Sequence, residues 1–260
     1  MKTVNFQYKT ELLFSSPASD HSFLLRILPQ SDNRQCIKNL LWYIDPPGTL
    51  WRASDSFGNK TLSGRIDTPH NHFSFSIQGT AEMSDAQYIS GPEPERILLY
   101  PTKLTQPGNE LVNFHGELEH SAPGDALQRI RYFSHAVHTR LRYERGITTN
   151  STTAQQAFGM GMGVCQDYSH ILLALLRLSG IPCRYVAGLA SDYGETHAWV
   201  ESWIADRYYG IDPTRDKFID EGYIAISRGR DFEDSSIERG IFKGACCGTQ
   251  TISLSMEFLQ

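Results

Sequence analysis

The chain has 260 residues, of which 40% are hydrophobic and 20% charged, and its net charge at neutral pH is −5. That is the composition of an ordinary globular protein, and an acidic balance argues against a general nucleic-acid binder, which carries a basic excess. No stretch approaches the roughly 18 apolar residues of a membrane span, and residues 1–7 hold no apolar signal core. The expectation is therefore a cytoplasmic protein with neither nucleic acid nor membrane as partner.

Residues 1–90 read as an N-terminal β domain. Val4, Phe6 and Tyr8 alternate with polar residues, as do Phe23, Leu25 and Ile27, and later Phe73, Phe75 and Ile77. Turn clusters punctuate the runs at Asp45-Pro46-Pro47-Gly48, Asp55-Ser56-Phe57-Gly58-Asn59 and Asp67-Thr68-Pro69-His70. Short punctuated strands predict an antiparallel, sandwich-like sheet. Residues 91–120 are expected to be a linker, because Pro92, Pro94, Pro101 and Pro107 disfavour regular structure.

The second domain is expected over residues 121–235 and is α+β. Leu127, Ile130, Phe133, Val137 and Leu141 recur at helical spacing. Thr152 or Thr153 is a candidate N-cap for a short helix or turn up to Phe158. Gly159, Gly161 and Gly163 give a flexible approach to Cys165. An apolar run follows from Ile171 to Leu178, which predicts a buried central helix stopped by Gly180 and Pro182. Cys165 thus stands at the first turn of a buried helix, where unpaired N–H groups and the positive end of the helix dipole favour a thiolate.

Two strand-like segments follow. His197 lies in Thr-His-Ala-Trp-Val-Glu and Asp212 in Ile-Asp-Pro-Thr, and the polar break Ala205-Asp206-Arg207 between them predicts a hairpin. Such a hairpin sets His197 beside Asp212. Beyond Asp220 the chain reads as irregular, with the charged run Arg228–Asp234 as a loop. In residues 236–260, a tail, Ile252, Leu254, Met256 and Phe258 alternate as a last strand that returns to the N-terminal sheet.

The remaining chemistry-bearing residues carry weaker signals. The five cysteines are Cys36, Cys165, Cys183, Cys246 and Cys247; an odd number with no Cys-x-x-Cys pair predicts neither a disulfide framework nor a zinc ribbon. Cys183 begins a strand and reads as a small buried thiol. His70 with His72, and His135 with His138, lack carboxylates or thiols at ligand spacing, so no metal and no cofactor are expected. Asp167 reads as a helix cap. His170, five residues after Cys165, points away from it.

The strings Gly-Val-Cys-Gln-Asp-Tyr-Ser-His, His-Ala-Trp-Val-Glu and Ile-Asp-Pro-Thr together resemble the bacterial transglutaminase-like superfamily, and more narrowly its cysteine proteases. Tyr8, Leu25-Arg26-Ile27-Leu28-Pro29, Gln35 and the Asp55–Asn59 cluster resemble the β domain that precedes the core in that family. The resemblance implies a papain-like, transglutaminase-like core with a catalytic triad of Cys165, His197 and Asp212, and a peptide or protein substrate. The chemistry asked of such a set is acyl transfer: a thiolate attacks a carbonyl, an imidazole moves the proton, and a carboxylate orients the imidazole. A cysteine protease or amidase is the leading expectation. A protein cross-linking transferase and a catalytically silent binding module are the alternatives. The backbone N–H of Cys165 is the natural first oxyanion donor; Gln155, Gln156 and Tyr143 are candidates for the second.

Overall fold

The computed structural model describes residues 1–191, 194–245 and 247–259. Five strands open the chain: β1 (Lys2–Leu28), β2 (Gln35–Asp45), β3 (Thr49–Ser54), β4 (Lys60–Ile66) and β5 (His70–Met83). The two alternating runs at the N-terminus are one 27-residue strand. It bends around residues 13–20, where its pairing register shifts and Asp20 takes φ 47°. One half of β1 pairs with β5 and the other with β4, in the order β2-β5-β1-β4-β3. The bend curls this antiparallel sheet over Phe6, Phe23, Leu25, Phe73 and Phe75, which are all buried. Alternation places these residues on one face because successive strand side chains point to opposite sides.

The helical layer contains α1 (Asn109–Glu119), α2 (Ala126–Arg140), α3 (Ala154–Met160) and α4 (Cys165–Leu178). Two-residue strands β6 (Arg142–Tyr143) and β7 (Met162–Gly163) pair in parallel between them. A five-stranded antiparallel sheet follows: β8 (Cys183–Ala190), β9 (Thr196–Ile204), β10 (Arg207–Asp212), β11 (Lys217–Phe218) and β12 (Tyr223–Gly229), in the order β11-β10-β9-β8-β12. After the helical turn α5 (Phe232–Ser235), strands β13 (Glu238–Lys243) and β14 (Gly248–Leu259) both return to β1. The return of β14 is the one that its alternating residues predict. Among the described residues no helix is long and apolar enough to cross a membrane.

Two expectations are corrected here. The proline-flanked segment after Pro107 is not irregular: α1 starts there and buries Leu111 and Leu118, two turns apart, in the core that α4 also fills. Pro107 lies outside α1, where it breaks no helical bond. Nor is the chain irregular beyond Asp220, since β12 is a buried strand and Arg228 and Gly229 belong to it. Its charge conceals it in the sequence because Arg228 is paired within the protein, with Glu201 and Asp32.

As an edge strand, β12 would expose backbone groups, and amides from the first sheet's side of the molecule meet them. Gln35 donates from Nε2 to the Ala225 carbonyl (2.9 Å) and accepts the Ala225 N–H (2.8 Å). Asn59 does the same at Arg228 (2.7 and 2.8 Å). Both amides are buried. Gln35→Ala or Asn59→Ala strands a backbone N–H and C=O, and each is expected to lower unfolding free energy by about 1–3 kcal/mol. Urea unfolding reads this; no loss would mean that water replaces the amide.

Candidate active site

Cys165 is the first residue of α4, following Val164 in extended conformation. The local sequence enforces this start. Asp167 turns back so that its Oδ2 accepts the Val164 N–H (2.8 Å) and the Thr148 hydroxyl (2.7 Å). A Cβ on Gly163 would lie 2.5 Å from that same Oδ2, so only glycine allows the carboxylate to fold back. Gly161 takes φ 67° at the end of α3. The glycines ahead of Cys165 are thus fixed parts of the turn, and a flexible approach is not what they make. Asp167 is the cap that its position predicts; burial raises its carboxyl above the usual range against those hydrogen bonds.

His197 is the second residue of β9, and Asp212 the last of β10. The hairpin between them turns on Ala205 and Asp206, both with positive φ (46° and 62°), the geometry that suits a two-residue turn. The start of one strand therefore lies beside the end of the other. His197 Nε2 is 2.7 Å from Asp212 Oδ2. A carboxylate only accepts, so Nε2 carries the proton. Both side chains are fully buried.

Three further groups hold Asp212. The Tyr223 hydroxyl donates to Oδ2 (2.8 Å), and the Thr214 and Arg215 N–H groups donate to Oδ1 (2.9 and 3.2 Å). Arg215 in turn donates to the Tyr223 oxygen (3.0 Å). Burial alone would raise the Asp212 carboxyl, but His197 and these donors hold it below the usual range. Behind it, Trp199 packs edge-on to Tyr223 at 5.4 Å, in space left by Gly188, where a Cβ would meet the indole at 2.4 Å. The Asp-Pro-Thr turn is visible in the sequence; nothing there marks Tyr223.

His197 is pushed up to about 9. Burial opposes the charge, but the hydrogen bond to Asp212 and the nearness of the Asp212 and Cys165 side chains outweigh it. With a folded value above the ordinary 6.5, its contribution to stability is fully present below about pH 6.5 and is lost as pH rises through about 9. Thermal unfolding between pH 7 and 10 is expected to show this loss, and Asp212→Asn to reduce it. Equal slopes in both proteins would contradict the coupling.

Of the candidates for the second oxyanion donor, Gln155 accepts the Gly108 and Leu111 N–H groups at the start of α1 and donates to Glu110. Gln156 completes the capping box of Thr153. Tyr143 stays in view: β6–β7 pairing sets it opposite Gly163, and it lines the same cavity as Cys165 and His197. His170 is buried, accepts the Phe232 N–H (3.2 Å), and is pushed down to about 3 by burial and then by Arg177. Cys183 is pushed up to about 11 by burial. His135 bonds to Asp216, His138 to the Thr214 carbonyl, His72 to Asp45 and His70 to His21. Among the described residues no three His, Cys, Asp or Glu side chains gather to hold a metal ion. Cys246 lies outside the described residues.

The cavity in front of Cys165 has a volume of about 460 Å³. One wall comes from the α4 and β9 region, the other from β1, β13 and β14 through Tyr8, His21, Glu238, Phe242 and Ile252. The curled sheet therefore forms half of the site.

Two family models match the chain. Residues 116–213 match the transglutaminase-like superfamily core, and residues 4–82 the bacterial transglutaminase-like N-terminal region. An uncharacterized protein of Mycobacterium tuberculosis is 27% identical over 273 residues, covering 90% of this chain and 85% of its own length. One from Mycobacterium leprae is 26% identical over 265 residues, covering 91% and 92%. The crystal structure described as a "Putative Cysteine Protease" from Cytophaga hutchinsonii superposes with a TM-score of 0.82 at 20% identity, covering 99% of this chain and 91% of that chain.

Proposed function

Because the chain belongs to the transglutaminase-like superfamily, with the bacterial N-terminal region in front of the core, we propose that it is a thiol acyl-transfer enzyme that cleaves peptide or isopeptide-like amides of a protein substrate. One observation carries the reading: His197 is 2.7 Å from Asp212 and lines the same cavity as Cys165, which opens a buried helix there. A thiol, a base and a carboxylate that orients the base are a set that thiol acyl transfer uses.

In this reading the reaction runs in two halves. Cys165 Sγ bonds to the carbonyl carbon while the His197–Asp212 pair holds the imidazolium. The oxyanion meets the N–H groups at the start of α4, which have no partner within the helix. His197 gives its proton to the departing nitrogen as the C–N bond breaks. Water then attacks the thioester, His197 takes its proton, and Sγ leaves as the acid is released. If a lysine amine attacks in place of water, the product is an isopeptide and the enzyme a cross-linking transferase. The occupied triad argues against a silent binding module. We place this chemistry in the cytoplasm, where a nucleophilic thiol stays reduced; fractionation of cells with an antibody to the chain tests that.

Mass spectrometry of reaction products, with and without added alkylamine, distinguishes hydrolysis from transfer. Hydrolysis is expected to dominate; amine adducts in excess of free acid would make the enzyme a transferase. Asp212→Asn is expected to lower kcat about 10⁴-fold, since Nε2 loses the acceptor that fixes its tautomer, while Cys165 stays open to alkylation. Unchanged turnover would remove Asp212 from the mechanism.

A further inference from the structure

Opposite Cys165, the cavity holds a carboxylate that the mechanism does not use. Glu238 opens β13, opposite Leu25 of β1, and lines the same 460 Å³ cavity. Its side-chain partner is a neutral amide: Gln250 Nε2 donates to Oε2 at 3.1 Å. Among the described residues no cation pairs with it. The basic groups along the cavity are engaged elsewhere or neutral. Arg145 pairs with Glu195 at 3.1 Å, and Arg239 donates to Ser236 at 2.8 Å. His21 bonds to His70 at 3.2 Å and is pushed down to about 4 by burial and then by His70. Glu238 is half-buried, and burial likewise pushes it up to about 7. The aromatic side chains of Tyr8, Tyr185 and Phe242 also line this cavity. Tyr8 is kept neutral, as burial pushes it up to about 12.

We propose that this cavity is a subsite for a cationic group, an ammonium carried by the substrate, with Glu238 as its counter-charge and the surrounding aromatic rings as its walls. An uncompensated carboxylate in a cleft attracts a cation, and aromatic faces attract it further through their quadrupoles. The ammonium is held across the cavity from Cys165, so the acyl carbon at the thiol belongs to, or is joined to, an amine-bearing molecule. The subsite rests on the reading of Cys165 as the nucleophile, but its test does not depend on that thiol.

The test uses the full chain with Cys165→Ala and measures binding by NMR titration at pH 8. The probes are n-butylammonium and its neutral analogue n-butanol. The ammonium is expected to bind at least ten-fold more tightly. Adding Glu238→Gln, which keeps the shape and a hydrogen bond to Gln250, is expected to erase that preference, and Glu238→Asp to retain part of it. Circular dichroism checks that each variant is folded. A second arm compares Nα-acetyl-lysine N-methylamide with n-butylammonium: tighter binding of the former assigns the subsite to a basic side chain of a peptide, tighter binding of the latter to a free amine. Equal affinity for ammonium and alcohol, or a preference that survives Glu238→Gln, overturns the proposal. An unreactive Cys165 in the unmodified chain would instead overturn the acyl-transfer reading and leave the cation binding to stand or fall here.

Discussion

Cys165→Ala is expected to lower amide turnover about 10⁶-fold, and His197→Ala to lower it by a similar factor, because nucleophile and base act as a unit. Neither loss should come from unfolding. Cys165 is half-buried at a helix start, so its truncation should cost little stability. Alkylation by iodoacetamide separates the two roles. In the unmodified chain at neutral pH, Cys165 should label first, ahead of Cys36 and Cys247, and Cys183 should label last, since it is fully buried and its thiol is pushed up. His197→Ala should slow labelling of Cys165 by removing the imidazolium beside it, with labelling of Cys36 and Cys247 unaffected. Peptide mapping by mass spectrometry reads each site. If Cys36 or Cys247 takes the label first, or if His197→Ala leaves the Cys165 rate unchanged, then Cys165 is a structural thiol.

The three residues of the candidate site each stand in a short segment whose local physics shows in the sequence. An apolar run fixes the helix that begins at Cys165. The polar break Ala205-Asp206-Arg207 between aromatic strands marks the hairpin that joins His197 to Asp212. Asp212 precedes a proline, and its Oδ1 accepts the next N–H groups of that turn. What supports these residues was not legible, because topology assembles it. Tyr223 reaches Asp212 from β12, a strand hidden by charges whose partners lie at Asp32 and Glu201. Gln35 and Asn59 are ordinary polar residues until β12 presents its edge to them. Glu238 is 73 residues beyond Cys165 and lines the same cavity only because β13 joins β1. In each case the signal is a contact distant in sequence, which periodicity and spacing do not encode.

The largest loss of stability is expected from a single carboxylate beneath the sheet. Glu201, on β9, is completely buried. Arg184 Nε reaches its Oε2 at 2.6 Å, and Arg228 reaches Oε2 at 3.0 Å and Oε1 at 3.2 Å. Arg228 also bonds to Asp32, in the loop that precedes β2. Burial opposes ionisation of Glu201, but the two guanidinium groups outweigh it and hold the carboxyl at about 2. Glu201→Gln leaves two buried positive charges with one outlying carboxylate between them. Breaking a buried pair in this way costs about 3–5 kcal/mol, which for a chain of this size lowers Tm by roughly 10 °C. The sign with pH is fixed by the direction of the shift. Glu201 contributes stability above its ordinary value of 4.5, and that contribution disappears as pH falls through about 2. The gap in Tm between the unmodified chain and Glu201→Gln should therefore be full at pH 7 and shrink in acid. A second variant locates the cost. Replacing Arg184, Glu201 and Arg228 together by Met, Leu and Leu removes every stranded charge of the triad, and should recover most of the loss, because the pairing itself adds little beyond what apolar packing supplies. If that triple variant is as unstable as Glu201→Gln, the ion pairs stabilise the sheet in their own right, and the carboxylate is more than a neutraliser of two buried arginines.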